Sequence, residues 1–219
     1  LTRHPKHGSR EPRIIPRPQH NVTRAEFSKS ALKVLYRLNK AGYQAFLVGG
    51  SVRDAMLELH PKDFDVATNA RPQEIRNLFR NSRTIGRRFR LVHVYFRGGI
   101  VEVATFRASP EPPESPQDWE EAAAEEAEAN AAVENPRPAA EDVVYGTPAE
   151  DARRRDFTVN ALFYNIADFS IIDHVGGIED LERRLIRTIG DPDQRFIEDP
   201  VRMMRALEYS VRLGFEIDE

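Results

Sequence analysis

Two aspartates separated by one residue, in Lys62-Asp63-Phe64-Asp65-Val66, are the side chains best spaced to do chemistry. On an extended strand residues i and i+2 project from one face, so both carboxylates point together while Phe64 turns toward the interior. Carboxylates held that close repel, and each raises the other's proton affinity unless a cation lies between them. Mg²⁺ is the natural occupant, because it takes oxygen ligands and is usually held by one or two carboxylates plus substrate phosphates. Upstream, Leu47-Val48-Gly49-Gly50-Ser51-Val52-Arg53-Asp54 reads as strand, glycine turn and helix. At such a turn a phosphate can approach Gly49, Gly50 and Ser51 closely, with helix N–H groups aimed at it and Arg53 offering a forked donor.

Three more groups are candidates. Glu102 is a lone acid between Val101 and Val103. It either faces solvent or, if its strand neighbours that of Asp65, adds a third carboxylate to a two-ion site. In Arg153-Arg154-Arg155-Asp156-Phe157-Thr158-Val159-Asn160-Ala161, Arg155, Asp156 and Asn160 fall within about one and a half turns of an expected helix and could meet a ribose and phosphates. In Glu198-Asp199-Pro200-Val201-Arg202-Met203-Met204-Arg205, Asp199 is a natural N-cap with Pro200 at the first helical position. Arg202 and Arg205 share a face there, and with Asp199 they can present donors and acceptors to a base edge. Each group alone has an ordinary structural explanation; their order along one chain is what argues for a site.

The elements that must position them are short. Apolar spacing predicts a helix over 24–40 with Thr23 as N-cap, a strand at 45–48, a helix at 52–59, a strand at 64–67 and a helix at 72–79. Paired strands at 91–96 and 100–106 follow around Gly98-Gly99, then a helix at 149–164, a strand at 170–173, a Gly176-Gly177 turn, a short strand at 185–189 and a helix at 200–213. The fold class is α/β (α+β), with a small mixed sheet early and helices accumulating late. Residues 1–24, with four prolines and an Ile14-Ile15 knot, read as an extended basic arm, 25–190 as the main domain, and 191–219 as the start of a helical one. Because the chain stops just after a helical pattern, a fragment of a longer protein is the expectation.

Residues 108–142 carry eleven Asp or Glu against Arg137 alone, a balance of −10, which leaves +7 on the rest of a chain whose net charge is −3. That acidic, proline-rich stretch cannot supply a core and reads as a disordered insertion, with transient helix at 119–132. A basic body beside it is compatible with a polyanionic partner such as RNA. There is no cysteine, no apolar run long enough for a membrane span and no signal-peptide pattern, so the cytoplasm is the default location.

The ordered set Gly-Gly-Ser-Val-Arg-Asp, Asp-Phe-Asp, Arg-Arg-Asp-Phe-Thr-Val-Asn-Ala, Asp173-His174-Val175-Gly176-Gly177 and Glu-Asp-Pro-Val-Arg resembles the bacterial-type nucleotidyltransferase superfamily, which comprises tRNA CCA-adding enzymes and bacterial poly(A) polymerases. The resemblance runs from about Thr23 to Gly214. It implies a nucleotidyltransferase head followed by a helical neck, with ATP and RNA 3′ ends as partners and two Mg²⁺ ions as cofactors. It implies Asp63 and Asp65 as metal ligands, Gly50 and Arg53 on the incoming triphosphate, and Arg155 with Asp156 at the nucleotide, Asp156 being a further catalytic acid candidate. Asp199 and Arg202 would template the base, with Arg205 beside them. The arm Ile14 to Arg24 and the stretch Gly86 to Val94 are similar to the poly(A) polymerase branch, which favours polyadenylation over CCA addition. Two rival classes are an RNA-binding module with a degenerate site and a small-molecule nucleotidyltransferase; the 150–214 motifs argue against the second.

Overall fold

The computed structural model describes residues 11–86, 90–108 and 144–218, so the acidic stretch, apart from Ala108, lies outside the described residues. Eight short strands form one mixed sheet. They are β1 (Arg13–Ile15), β2 (Ala45–Val48), β3 (Asp65–Thr68), β4 (Ser82–Ile85), β5 (Leu91–Phe96), β6 (Gly99–Thr105), β7 (Leu162–Asn165) and β8 (Ile171–Asp173). Their order is β1-β8-β7-β2-β3-β6-β5-β4, antiparallel throughout except for the parallel pair β3 and β6. The described helices are α1 (Lys29–Lys40), α2 (Gly50–Met56), α3 (Pro72–Leu78), α4 (Pro148–Arg153), α5 (Gly177–Arg183), α6 (Pro192–Glu198) and α7 (Val201–Leu213). A two-stranded parallel ribbon of β9 (Leu185–Ile186) and β10 (Glu216–Ile217) lies beside α7.

Period-2 alternation sorts the sheet into two faces. Leu47, Val66, Val101 and Val103 go to the larger core, against Ala31, Val34, Leu35 and Leu38 of α1, whose spacing of three and four residues makes one buried stripe. Burying Leu35 and Leu38 fully stabilises the packing by about 1.5–3 kcal/mol each. Phe46, Val48, Ala67 and Phe163 go to a smaller cluster on the opposite face with Val175 and Ile189. Asp65 and Glu102 belong to that second face, and its shallower cover leaves both solvent-accessible.

The helix expected over 24–40 is two pieces. Thr23 starts only a single 3-10 turn at Arg24–Glu26, whose Glu26 carboxylate reaches back to the Thr23 N–H at 2.9 Å, and the chain extends again before α1 begins under Ser28. The helix expected over 149–164 is also broken. It stops at Arg153, passes a 3-10 turn at Thr158–Asn160 and becomes β7. Val159, Ala161, Leu162, Phe163 and Tyr164 are buried all round, and such a short apolar run reads alike as buried helix or central strand. The Ile14-Ile15 knot becomes β1, an edge strand on β8. Four of the described strands and helices had no counterpart in the sequence pattern: β4, β10, α5 and α6.

Asp173, Gly176 and Gly177 have a structural explanation. The Asp173 carboxylate accepts four backbone N–H groups, from Val175, Gly176, Gly177 and Ile178 at 2.9–3.0 Å, which caps α5. A Cβ at Gly177 would sit 2.2 Å from the Thr158 carbonyl oxygen, so only glycine lets α5 pack onto the 3-10 turn. Gly177→Ala is therefore expected to cost about 3 kcal/mol of stability by overpacking, read as a lowered urea midpoint at unchanged slope.

Candidate active site

β3 opens at Asp65, so Asp63 is not on the strand, as its spacing suggested, but in the exposed segment leading into it. Phe64 likewise precedes the strand and is half-buried, edge-on to Phe27 at 6.4 Å. Asp65 pairs with Val48 on β2 and with Glu102 on β6, which places it beside Gly49. Gly49 has φ +76°, a conformation that favours glycine, and a Cβ there would lie 3.6 Å from Arg155 Nη1 and 3.8 Å from Asp65 Oδ2. The glycine turn, the strand carboxylate and an arginine thus converge on one spot. Burial pushes the Asp65 carboxyl above the usual carboxylate range, the nearby Glu102 and Asp63 charges push it further, and Arg155 opposes them.

Glu102 is in register with Asp65, the strand adjacency that the sequence left open. Its carboxylate, however, meets His93 Nε2 across β5 at 3.3 Å, and among the described residues no three acidic or histidine side chains gather as a metal-binding group. Glu102 thus lies beside Asp65 with its carboxylate turned to His93. The donor set still fits Mg²⁺, which takes hard oxygen ligands and fills its remaining positions with water and phosphate. Asp63 and Asp65 supply such oxygens in a locally acidic spot that a cation would relieve.

Arg53 is not presented to a ligand. It is 1% exposed, donates from Nε to Asp54 Oδ1 at 2.8 Å and from Nη1 to the Asn160 amide oxygen, and lies over the Tyr209 ring at 5.0 Å. Burial of so large a cation demands this full set of partners. Asn160 is buried as well, its Nδ2 3.4 Å from Asp156 Oδ1, and the Ser51 hydroxyl turns back to the Val48 carbonyl at 3.1 Å. Arg53, Asn160 and Ser51 are therefore buried and bonded to the protein around the glycine turn. Gly50 belongs to the same packing, because a Cβ there would meet Arg53 Nη2 at 3.2 Å. Asp156, 8% exposed, holds the Phe157 N–H at 2.7 Å and lies 2.7 Å from Arg205 Nη2 in an ion pair without hydrogen-bond alignment. As placed, it positions Arg205 rather than joining the carboxylates at Asp65.

A closed ring results. From α7, Arg212 bonds Asp54 at 2.6 Å; Asp54 holds Arg53, Arg53 holds Asn160, Asn160 meets Asp156, and Asp156 returns to α7 through Arg205. Tyr209 fills its centre, edge-on to Phe157 at 5.7 Å. Beside the ring, Arg195 of α6 donates to the carbonyls of Arg154 and Arg155 at 2.8 and 2.5 Å, and Arg202 donates to the Arg195 carbonyl and Glu198 at 2.6 and 2.8 Å. Helix α7 starts one residue later than expected, with the Asp199 carboxylate accepting the Val201 N–H at 3.1 Å. Asp199 and Arg205 remain partly exposed, whereas the Arg202 guanidinium is mostly engaged. Asp151, 1% exposed, anchors Arg154 and Arg155 at 3.0 and 2.9 Å. Asp54, Asp151, Arg195, Tyr209 and Arg212 are positioning groups that spacing did not single out. The one available hint was Asp151, an acid three and four residues before two arginines.

Residues 45–187 match the poly A polymerase head domain. The chain is 51% identical over 204 residues to poly(A) polymerase I of Salmonella typhi, covering 93% of this chain and 42% of that protein. It is 38% identical to the CCA-adding enzyme of Lactobacillus gasseri over 88% of this chain and 43% of that one. The structure superposes on the Bacillus stearothermophilus CCA-adding enzyme in complex with CTP with a TM-score of 0.69 at 31% identity, covering 90% of this chain and 42% of that one. The chain thus spans about two-fifths of the length of the curated relatives it matches. No helix among the described residues is long and apolar enough to cross a membrane. With its matched segment taking in the glycine turn, Asp63, Asp65 and the Arg155-Asp156 loop, the chain belongs to the poly(A) polymerase head-domain family.

Proposed function

We propose that this chain is the nucleotidyl-transfer head of an enzyme that adds AMP from ATP to RNA 3′ ends. The observation that carries the reading is the meeting of Asp65, Arg155 and the glycine turn at Gly49. The half-identical poly(A) polymerase I relatives support AMP as the unit added. Residues 25–190 are the head in this reading, and 191–219 begin a helical neck.

In the reaction the RNA 3′-hydroxyl attacks the α-phosphate of ATP and pyrophosphate leaves. Asp63 and Asp65 would hold Mg²⁺, two ions being expected, and bound Mg²⁺ supplies charge neutralisation and a lowered hydroxyl pKa. The chain's own contribution is mostly placement. Gly49 lets phosphate oxygens reach the backbone, and Arg155 brings positive charge to the same point without neutralising Asp65 outright. Asp156 aims Arg205, and Asp199 and Arg205 are the exposed groups of α7 available to a base.

CCA addition is the second reading, favoured by the CCA-adding relative and the structural likeness. Offering each nucleoside triphosphate separately with an oligo(A) primer and with a tRNA lacking its terminus separates the two. Incorporation from ATP alone on the oligo(A) primer is the expected result, abolished by EDTA and restored by excess Mg²⁺. Incorporation from CTP on the tRNA would favour the second reading, and a chain inert with both primers would overturn the transfer reading itself.

A further inference from the structure

A second cationic site lies away from the glycine turn. Where β7 runs antiparallel to β2, Phe163 pairs with Val48 and Asn165 with Phe46, so the turn after β7 is at the opposite end of the sheet from Gly49. There the N-terminal arm crosses the turn and encloses a cavity of about 330 Å³ lined by Arg17, Thr23, Arg24, Ala25, Tyr164 and Phe169. Arg17 donates to the His20 carbonyl at 2.8 Å, and Arg24 donates to the Tyr36 hydroxyl at 2.7 Å while lying over the Phe169 ring at 4.9 Å. Neither forms an ion pair with a carboxylate among the described residues, unlike Arg53, Arg155, Arg195, Arg205 and Arg212 around the glycine turn. The nearby Glu26 carboxylate is taken up by the Thr23 N–H and hydroxyl at 2.9 and 3.0 Å.

Tyr164 makes the cavity more than a basic patch. The residue is 1% exposed overall and lines the cavity, and its hydroxyl makes no hydrogen bond to another described residue. A hydroxyl at a cavity wall that bonds nothing in the protein is free to donate to a ligand. Burial pushes the phenol up to about 12 against the pull of Arg17 and Arg24, so at neutral pH it is an O–H donor. The frame is built rather than incidental. His20 Nε2 donates to the Phe169 carbonyl at 2.9 Å, and the Phe169 N–H returns to Asn165 at 2.8 Å. Phe169 is held at φ +64°, a strained conformation for a residue with a side chain.

We propose that this cavity binds a phosphate group, with Arg17, Arg24 and the Tyr164 hydroxyl as its three donors. Guanidinium donors without a carboxylate partner among the described residues select an anion, and two such forks favour carboxylate or phosphate. Three donors from separate elements suit the tetrahedral oxygens of phosphate better than the two coplanar oxygens of a carboxylate. The phosphate can belong to an RNA backbone or to a small phosphorylated molecule, and the site does not depend on the transfer reading.

The test maps ¹H–¹⁵N resonances of the unmodified chain during titration with inorganic phosphate and, separately, with oligo(A) RNA. Shifts at Arg17, Arg24 and Phe169 are expected. If RNA also produces them the source is its backbone, and if only phosphate does, the site serves small phosphates. Tyr164→Phe removes a hydroxyl that bonds nothing in the protein, so melting should be unchanged while phosphate affinity falls about threefold or more. Arg17→Gln with Arg24→Gln should weaken it about tenfold or more. No shifts at these residues with either probe, or equal affinity in all three proteins, would overturn the proposal.

Discussion

Asp65→Asn is expected to lower AMP incorporation by at least about 10³-fold, roughly 4 kcal/mol of transition-state stabilisation, without weakening the fold. The substitution keeps the side chain's shape and removes the charge that a cation at the glycine turn requires. Its effect on stability has the opposite sign. Asp65 has a carboxyl pKa raised by burial and by the Glu102 and Asp63 charges, so the folded chain holds its proton more tightly than the unfolded chain does. Stability from this group is full below the unfolded carboxylate value and is lost as pH rises through the raised folded value, which leaves the charged form a net cost at neutral pH. The amide removes that cost. Primer extension run alongside urea denaturation therefore should show a protein as stable as the original, or more so, that no longer transfers. An Asn variant within tenfold of the original rate would sink the assignment of Asp65.

Arg53→Ala is the second large effect, and it falls on stability. Removing a buried partner leaves Asp54 and Asn160 with unmet hydrogen bonds and takes a cation from the Tyr209 ring, which together cost about 3–5 kcal/mol. Arg53→Lys should recover little of this, because one ammonium cannot reproduce a fork that holds two groups at once. Arg212→Ala, at the half-exposed end of the same ring, should cost only about 1 kcal/mol. The comparison is decisive because a phosphate ligand behaves otherwise. Were Arg53 such a ligand, its loss would raise the KM for ATP and leave the urea midpoint nearly unchanged.

That contrast marks how far the site was legible in the sequence. Asp63, Asp65 and the Gly49-Gly50 turn were legible through their order along the chain, because an acid pair or a glycine turn alone has ordinary structural uses and only the ordered set of motifs argues for a site. Their elements were legible too: β2, β3, β5 and β6 follow from short apolar runs, and α1 and α7 from apolar stripes. The partners of Arg53 were not legible because an arginine in the first turn of a helix looks the same whether it faces solvent, phosphate or a buried aspartate. Asn160 and Asp156 were misplaced because a fully buried apolar run hides the change from helix to strand between Arg153 and Leu162.

By itself the sequence determined the acidic pair, the glycine turn, the α/β class and the order of motifs, all of which rest on interactions between near neighbours in the chain. Only the tertiary structure decided what the arginines do. Arg53 meets Asn160, Arg212 meets Asp54 and Arg205 meets Asp156 across large separations in sequence. The structure also put Glu102 between Asp65 and His93, with its carboxylate on the His93 ring. A guanidinium is a long, forked donor whose role is set by which acceptor lies within its reach and whether water does too. That is a property of the packed α2–α7 contact, and no local spacing encodes it.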